Sequence, residues 1–191
     1  EFFEKLLNKK IKIKNPVISL KKSKKEGNYF VVNPGASANY KRWNEENFQK
    51  VIDFLIEKYH CEIKLIGSKS EYSISEKIKS FSRYPDKIKI LCGKEFEEII
   101  QLIVDSSGVI SNETSTVHLA VALNKKVVCI SNGNHYGRYH PYPNYSNTVY
   151  VYPVNFNPSN ELDNDFRTKR DINGISSEEV IKKINLFLRT K

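Results

Sequence analysis

The sequence has 191 residues, of which 31 are Lys or Arg and 22 are Asp or Glu, so its formal net charge is +9. The hydrophobic fraction of 39% is too high for a disordered chain, and no apolar run reaches the length of about 18 residues that a transmembrane helix needs. The three cysteines (Cys61, Cys92 and Cys129) lack metal-ligand spacing, and their odd number argues against a disulfide framework. We therefore expect a globular domain of the reducing cytoplasm.

The first 27 residues are strongly basic, because they contain nine Lys and only three Glu. Only six of the 31 basic residues in the chain are Arg, which phosphate-binding sites favour, so we interpret residues 1–27 as a basic linker or interdomain segment. Binding of this segment to nucleic acid or to an anionic membrane surface is the alternative. The sequence contains no Met and opens as if within an amphipathic helix, which leads us to expect a piece of a longer protein.

From residue 28 onward, short β-branched runs alternate with segments whose apolar residues recur at helical spacing. In chain order the pattern predicts strand 29–33, helix 45–59, strand 61–66, helix 71–83, strand 87–91, helix 95–106, strand 108–111, helix 114–124, strand 126–130 and strand 148–152. A final helix follows the capping box of Ser176 and Glu179. This alternation is typical of a doubly wound α/β domain whose parallel sheet is covered on both faces, and we assign it residues 28–191.

Right-handed crossovers in such a sheet bring the loops that follow the strands to one edge, where ligands bind. The expected loops of that edge are 33–44, 67–71, 92–95, 111–116 and 131–143. Most of the chemically unusual residues of the chain fall within these loops, so we expect the functional site there.

The first of these loops combines small residues with cations. Gly35 allows the backbone to approach a ligand closely, while Lys41 and Arg42 are cations suited to phosphate, and Ser37 adds a hydroxyl. An ordinary loop is the alternative, and for Trp43 we adopt it, because a single Trp usually packs in the core. For Lys41 we favour contact with an anionic ligand.

The second motif, residues 111–120, lies where a strand ends and a helix begins. Its hydroxylated residues Thr114 and Ser115 leave backbone N–H groups free beside the positive end of the helix dipole, which favours a diphosphate. Thr114 is also explained as a plain N-cap. The carboxylate of Glu113 suits a sugar hydroxyl or the dipole itself, and His118 either bonds toward the site or lies in the core.

The last loop, 131–143, contains two glycines, two histidines and one Arg. We expect it to close over phosphate or sugar with Arg138 as the contact, and aromatic packing of a long irregular loop is the alternative. A metal held by His135 and His140 lacks a third ligand of suitable spacing, so we expect no metal site. Neither a Walker motif nor G-x-G-x-x-G follows the first strand, which disfavours an NTPase or a NAD-dependent enzyme.

Two motifs together resemble a known family. They are Pro34-Gly35-Ala36-Ser37 with Lys41-x-Trp43, and Asn112-Glu113-Thr114-Ser115-x-x-His118-Leu119-Ala120. Their order and separation resemble the ADP-heptose-dependent heptosyltransferases of lipopolysaccharide synthesis, glycosyltransferase family 9, over residues 29–143. The resemblance implies the C-terminal, donor-binding and Rossmann-like half of a GT-B fold, in which two such halves face each other across a cleft.

The resemblance also implies an activity. It is an inverting transfer of heptose from a nucleotide diphosphate sugar to a lipopolysaccharide-type acceptor, without a metal. The acceptor site and the catalytic base would lie in the N-terminal half, so we expect no catalytic residue here and no turnover from this chain alone. The expected partner is the nucleotide-sugar donor and not nucleic acid, and the location is the cytoplasm, with peripheral contact to the inner membrane left open.

The motif positions imply roles for individual residues. By the resemblance, Ser37 and Lys41 contact the diphosphate. Thr114 and Ser115 present backbone N–H groups to it, and His118 lies near the phosphates.

The rest of the donor is assigned in the same way. The resemblance implies that Glu113 lies near the sugar, that Glu71 bonds the nucleotide ribose, and that the backbone of Cys92–Lys94 contacts adenine. The chain departs from the family's usual residues with Glu113 for Asp, Ser115 for Gly and Asn44 for Pro, which leaves a different nucleotide sugar open. The alternatives are half of another GT-B enzyme, such as a UDP-sugar epimerase, or a non-catalytic basic module that binds anionic lipid or nucleic acid.

Overall fold

The structure is a computed structural model that describes residues 16–18, 27–142, 145–159 and 170–189. The described residues contain six strands: β1 (Tyr29–Asn33), β2 (Glu62–Leu65), β3 (Ile88–Ile90), β4 (Gly108–Asn112), β5 (Val127–Ile130) and β6 (Thr148–Val151). The strands form one sheet in the order β3-β2-β1-β4-β5-β6, and every neighbouring pair is parallel. The chain therefore winds outward from β1 to one edge, crosses back to β4 and winds to the other edge, which confirms the predicted doubly wound α/β fold.

Five α-helices accompany these strands in the described residues: α1 (Glu45–Tyr59), α2 (Tyr72–Phe81), α3 (Phe96–Asp105), α4 (Ser115–Ala122) and α5 (Ser177–Arg189). The sequence predicted all five, and the spacing of apolar residues indicated α1, α3 and α5 most directly. In this described part of the chain no helix combines the length and apolarity that a bilayer crossing requires.

The core has two layers, one on each face of the sheet. Along β1, Phe30 and Val32 point to the face covered by α1, α2 and α5, where they join Phe48. Val31 points to the opposite face, which α3 and α4 cover, and joins Val117 there. Because both faces of the central strands are buried, these strands read as continuous apolar runs and not as alternating ones.

Capping side chains set helix boundaries that differ from the predicted ones. The predicted helix 71–83 begins later, because Ser68 and Glu71 form a capping box around a 3-10 turn before α2. The predicted helix 114–124 is also shorter, because the hydroxyl of Thr114 caps α4. Thr114 is thus an N-cap, the alternative that the sequence left open.

The predicted basic linker, residues 1–27, lies outside the described residues except for 16–18 and Gly27. In this short described part, the Ile18 N–H donates to the Ala122 carbonyl at 2.7 Å. The division of the chain at residue 27 stays a prediction.

Trp43 belongs to the core, as predicted. It is 1% exposed, its ring packs edge-on against Phe48, and its indole N–H donates to the Ile175 carbonyl at 2.8 Å. Trp43 therefore joins the loop after β1 to the segment that leads into α5.

Two buried asparagines tie the ends of β1 and β4 together. The Asn33 side chain accepts from the Gly35 N–H (3.0 Å) and donates to the Thr116 hydroxyl (2.7 Å). The Asn112 side chain accepts from the Trp43 N–H (3.3 Å) and donates to the Pro34 carbonyl (2.8 Å). The loop after β1 is thus held against the start of α4.

Removing the Asn112 amide should destabilise the fold. In Asn112→Ala the buried Trp43 N–H loses its acceptor, and an unsatisfied buried group costs about 1–3 kcal/mol. We expect the free energy of unfolding, measured by urea denaturation, to fall by about that amount. Asn147→Ala, which removes a solvent-exposed hydrogen bond to Asn124, is the control and should change it by less than about 1 kcal/mol. Equal effects of the two substitutions would contradict the bridging role of Asn112.

Candidate functional site

A cavity of about 470 Å³ opens where β1 and β4 end, at the carboxyl edge of the sheet. This volume lies within the range of about 300–1,000 Å³ that is typical of small-molecule sites. The cavity wall includes six of the nine residues predicted for the donor site: Ser37, Glu71, Lys94, Glu113, Thr114 and Ser115. The structure therefore brings together residues from four separate loops.

The start of α4 offers two backbone donors to this cavity. The Thr114 hydroxyl accepts from the Thr116 N–H, and the Thr116 hydroxyl accepts from Asn33. Among the described residues the N–H groups of Thr114 and Ser115 have no partner. Both groups lie at the positive end of the α4 dipole, an arrangement that suits an anion.

Glu71 faces the glycine turn that follows β1. Its carboxylate accepts from the Ser68 N–H (2.7 Å) and the Ser68 hydroxyl (2.8 Å), which fixes its orientation. A Cβ built on Gly35 would lie 2.0 Å from the Glu71 Oε1. Gly35 is therefore needed for the carboxylate to approach the backbone of the β1 loop this closely.

Part of the cavity wall is apolar. Ile66, Phe96 and Ile99 line it, and the Phe96 ring is among the most exposed large apolar side chains described. Lys94, on the same side, pairs with Glu98 at 2.9 Å. An exposed aromatic ring beside a flat apolar wall suits a planar heterocycle.

Three of the predicted site residues lie at the same edge but outside the cavity wall: Lys41, His118 and Arg138. Each is turned onto an aromatic neighbour, with the Lys41 ammonium over Tyr40 (5.9 Å) and the Arg138 guanidinium over Tyr139 (4.9 Å). The His118 Nδ1 is 2.7 Å from the Tyr142 hydroxyl, and burial lowers the pKa of His118, which keeps its ring neutral.

The Glu113 carboxylate is the centre of a buried network. Its Oε1 accepts from His135 Nδ1 (2.5 Å), and its Oε2 accepts from the Ser131 hydroxyl (2.5 Å) and from His140 Nε2 (2.9 Å). The Glu113 side chain is 7% exposed and the His140 side chain 1%. All three donors come from the loop after β5, so one carboxylate holds that loop against the start of α4.

The network keeps Glu113 ionised. Burial alone would raise the pKa of this carboxyl, but the hydrogen bonds and charge of His140, with the bonds from Ser131 and His135, lower it to about 2. The His140 Nδ1 is also 3.0 Å from the Tyr152 hydroxyl, and burial raises the pKa of Tyr152, which keeps this hydroxyl protonated. Both nitrogens of His140 are therefore engaged.

By sequence spacing no third ligand accompanies His135 and His140, but the fold brings Glu113 between them. Nevertheless, no group of three or more His, Cys, Asp or Glu with the arrangement of a metal site occurs in the parts of the chain that the structure describes. Asn33 and Ser131 were not identified as site residues from the sequence. Their uncharged side chains form hydrogen bonds that hold the loops of the site together. Their position at the end of β1 and directly after β5 was the available signal.

Comparisons with known proteins point to one family. The sequence profile of glycosyltransferase family 9 (heptosyltransferase) matches residues 4–167. A lipooligosaccharide heptosyltransferase 2 from Haemophilus ducreyi is 34% identical over 96 residues, which are 48% of this chain and 27% of that protein. The matched region thus spans little more than a quarter of the relative's length.

Solved structures share the fold. The glycosyl transferase family 9 protein from Veillonella parvula superposes with a TM-score of 0.72 at 18% identity, over 86% of this chain and 47% of that chain. The E. coli heptosyltransferase WaaC with ADP-2-deoxy-2-fluoro heptose superposes with a TM-score of 0.64 at 18% identity, over 86% and 44% of the two chains. At these identities the likeness concerns the fold.

Acid should destabilise the chain through Glu113. Because the pKa of this carboxyl is lower in the folded state than its ordinary 4.5, the stability that it contributes is present above pH 4.5 and is lost as the pH falls toward 2. We expect this loss to be about 3 kcal/mol in the free energy of unfolding. Urea denaturation at intervals down to about pH 2 measures it, and Glu113→Gln should lack this share of the pH dependence.

Glu46→Gln, on an exposed position of α1, is the control and should keep the wild-type pH dependence. If Glu113→Gln and wild type lost stability in parallel over this pH range, the buried carboxylate would not be the acid-sensitive group.

Proposed function

Because the chain belongs to glycosyltransferase family 9, the heptosyltransferase family, we propose that its cavity binds the nucleotide-sugar donor of a glycosyl transfer. The observation that carries this proposal is the pair of N–H groups of Thr114 and Ser115, which have no partner in the described part of the chain and belong to residues that line the cavity together with apolar side chains. The N–H groups provide a site for a diphosphate, and the apolar side chains next to them provide a site for the nucleobase. The family match favours this function over the UDP-sugar epimerase half and the basic binding module that the sequence left open.

The diphosphate lies at the start of α4 in this proposal. The N–H groups of Thr114 and Ser115 donate to phosphate oxygens, and the exposed hydroxyl of Ser37 faces them across the cavity. Lys41 has no carboxylate partner among the described residues, so its flexible side chain is available to extend from the loop after β1 to the phosphates. His118 and Arg138 line the outer side of the same region.

The nucleoside occupies the other end of the cavity. A ribose diol suits the Glu71 carboxylate, which Ser68 already orients and which retains acceptor capacity toward the cavity. The base then lies along the apolar wall near Phe96, with the backbone at Lys94 beside it. The E. coli relative bound to an ADP-sugar analogue supports adenine as this base.

The chemistry is an inverting transfer of heptose without a metal. As the bond between the anomeric carbon and the phosphate oxygen breaks, negative charge develops on the leaving diphosphate, and the α4 N–H groups with Lys41 stabilise it. The chain spans less than half of the solved family members, so we place the acceptor site and the base that deprotonates the acceptor hydroxyl in a second half of a GT-B enzyme. Residues 28–191 are then the donor-binding half, with a lipopolysaccharide-type acceptor and a cytoplasmic location.

Isothermal titration of the chain with ADP and with UDP tests the donor site. We expect ADP to bind more tightly than UDP, and Lys41→Ala to weaken ADP by about tenfold or more, because a hydrogen bond between charged groups is lost. Lys50→Ala, which removes an exposed cation of α1, is the control and should leave ADP affinity unchanged.

Each alternative result has a defined meaning. If ADP does not bind at millimolar concentration, the donor-site proposal fails. If UDP binds more tightly than ADP, the adenine assignment fails and the epimerase-type alternative gains support.

Gly35→Ala separates ligand binding from folding. The added Cβ displaces the Glu71 carboxylate and little else, so stability should change by less than about 1 kcal/mol while ADP affinity falls severalfold. Gly174→Ala is the matched control, because a Cβ there meets nothing within 4 Å. Unchanged ADP affinity in Gly35→Ala, measured by the same titration, would contradict the role of Glu71 at the ribose.

A further inference from the structure

The Glu113 carboxylate borders the cavity but is already occupied. Its two oxygens accept from three donors, and its side chain is 7% exposed. A ligand group that approached this carboxylate would have to displace Ser131, His135 or His140. Glu113 is therefore better suited to orient a neighbour than to contact a ligand itself.

His135 is the one of these three donors with an open side chain. It is 19% exposed, whereas His140 is 1% exposed and has both ring nitrogens engaged. The Nδ1 of His135 bonds to Glu113, and among the described residues its Nε2 has no partner. Because an ionised carboxylate only accepts, Nδ1 carries a proton toward Glu113, and Nε2 is left to hydrogen-bond with a ligand.

The ring of His135 is not part of the cavity wall, but it bonds to Glu113, which is. Glu113 directly precedes Thr114 and Ser115, which also line the cavity and whose N–H groups are proposed to bind the diphosphate. The exposed ring of Tyr139 lies edge-on to His135, with centroids 5.2 Å apart, and also edge-on to His118 at 6.4 Å. Phe96 belongs to a different loop, so His135 is connected, through Glu113, to the proposed phosphate end and not to the apolar residues near Phe96.

We propose that His135 determines donor specificity through a hydrogen bond between its Nε2 and a hydroxyl of the nucleotide-linked sugar, and that Glu113 is the positioning residue that holds the ring for this contact. This inference rests on the proposed donor site and adds the identity of the side chain that contacts the sugar. It also replaces the expectation that Glu113 itself bonds the sugar.

The test compares ADP with ADP-heptose by isothermal titration of the chain. In His135→Asn the side-chain amide overlays Nδ1 and still donates to Glu113, but nothing replaces Nε2. We expect wild-type affinity for ADP and an affinity for ADP-heptose that falls about threefold to tenfold, the worth of one neutral hydrogen bond. His60→Asn is the matched control, because His60 caps α1 at the opposite edge of the sheet in a left-handed conformation that Asn also adopts.

Glu113→Gln tests the positioning role. The amide replaces an acceptor oxygen by a donor, so it cannot accept from all three partners. We expect the same selective loss for ADP-heptose and no further loss in the double variant with His135→Asn, because both substitutions remove one interaction. The thermal unfolding of each variant is measured as well. Global destabilisation would lower the binding of ADP and ADP-heptose equally, whereas loss of the proposed contact lowers only that of ADP-heptose.

The outcomes separate this inference from the function on which it rests. If His135→Asn keeps the wild-type ratio of ADP-heptose to ADP affinity, His135 does not read the sugar and the inference is overturned, although the donor site stands. If the losses of the two single variants add in the double variant, Glu113 does not act through His135. If wild type binds neither compound, the proposed function fails and the inference falls with it.

Discussion

The site depends on how two parallel strands end beside each other. Where β1 and β4 stop pairing, their loops diverge, and the buried backbone N–H and C=O groups there need other partners. The amides of Asn33 and Asn112 meet this need. Asn33 accepts within its own loop and donates across the gap to Thr116, whereas Asn112 both donates and accepts across the gap. The glycine turn after β1, the indole of Trp43 and the first turn of α4 consequently share one frame. Without that frame the N–H groups at α4 and the Glu71 carboxylate would not face the same cavity.

The arrangement of strands and helices could be predicted from the sequence because its signals are local. The apolar spacing of α1 and the β-branched runs of β1 and β5 each lie within a few residues, and a parallel doubly wound sheet is the architecture that buries both faces of such strands. Boundaries were less accurate, because a capping side chain and not the apolar pattern decides where a helix starts. At α4 the hydroxyl of Thr114 takes the Thr116 N–H and so moves the first helical residue to Ser115.

The candidate site was predictable in part. Gly35, Thr114 and Ser115 directly follow strands, and the carboxyl edge of a parallel sheet collects such residues, so their presence in one cavity followed from the fold. The orientation of Glu113 did not follow, because its partners lie 18 to 27 residues away in a loop without periodicity. For Lys41 the edge was predictable, but not the turn of its side chain onto an aromatic ring outside the cavity wall.

The two ends of the cavity differ in how they tolerate change. Backbone N–H groups hold an anion whatever side chains surround them, so the phosphate end can persist while sequences diverge. The network around Glu113 is different, because a buried carboxylate that loses any of its donors is left partly unsatisfied in a low-dielectric setting. An Asp at this position is shorter by one methylene group, so its carboxylate oxygens would lie farther from all three donors. Residue 113 and the loop after β5 must therefore change together, and if His135 contacts the donor sugar as proposed, a change in this pair of segments changes sugar preference without changing the N–H groups at the start of α4.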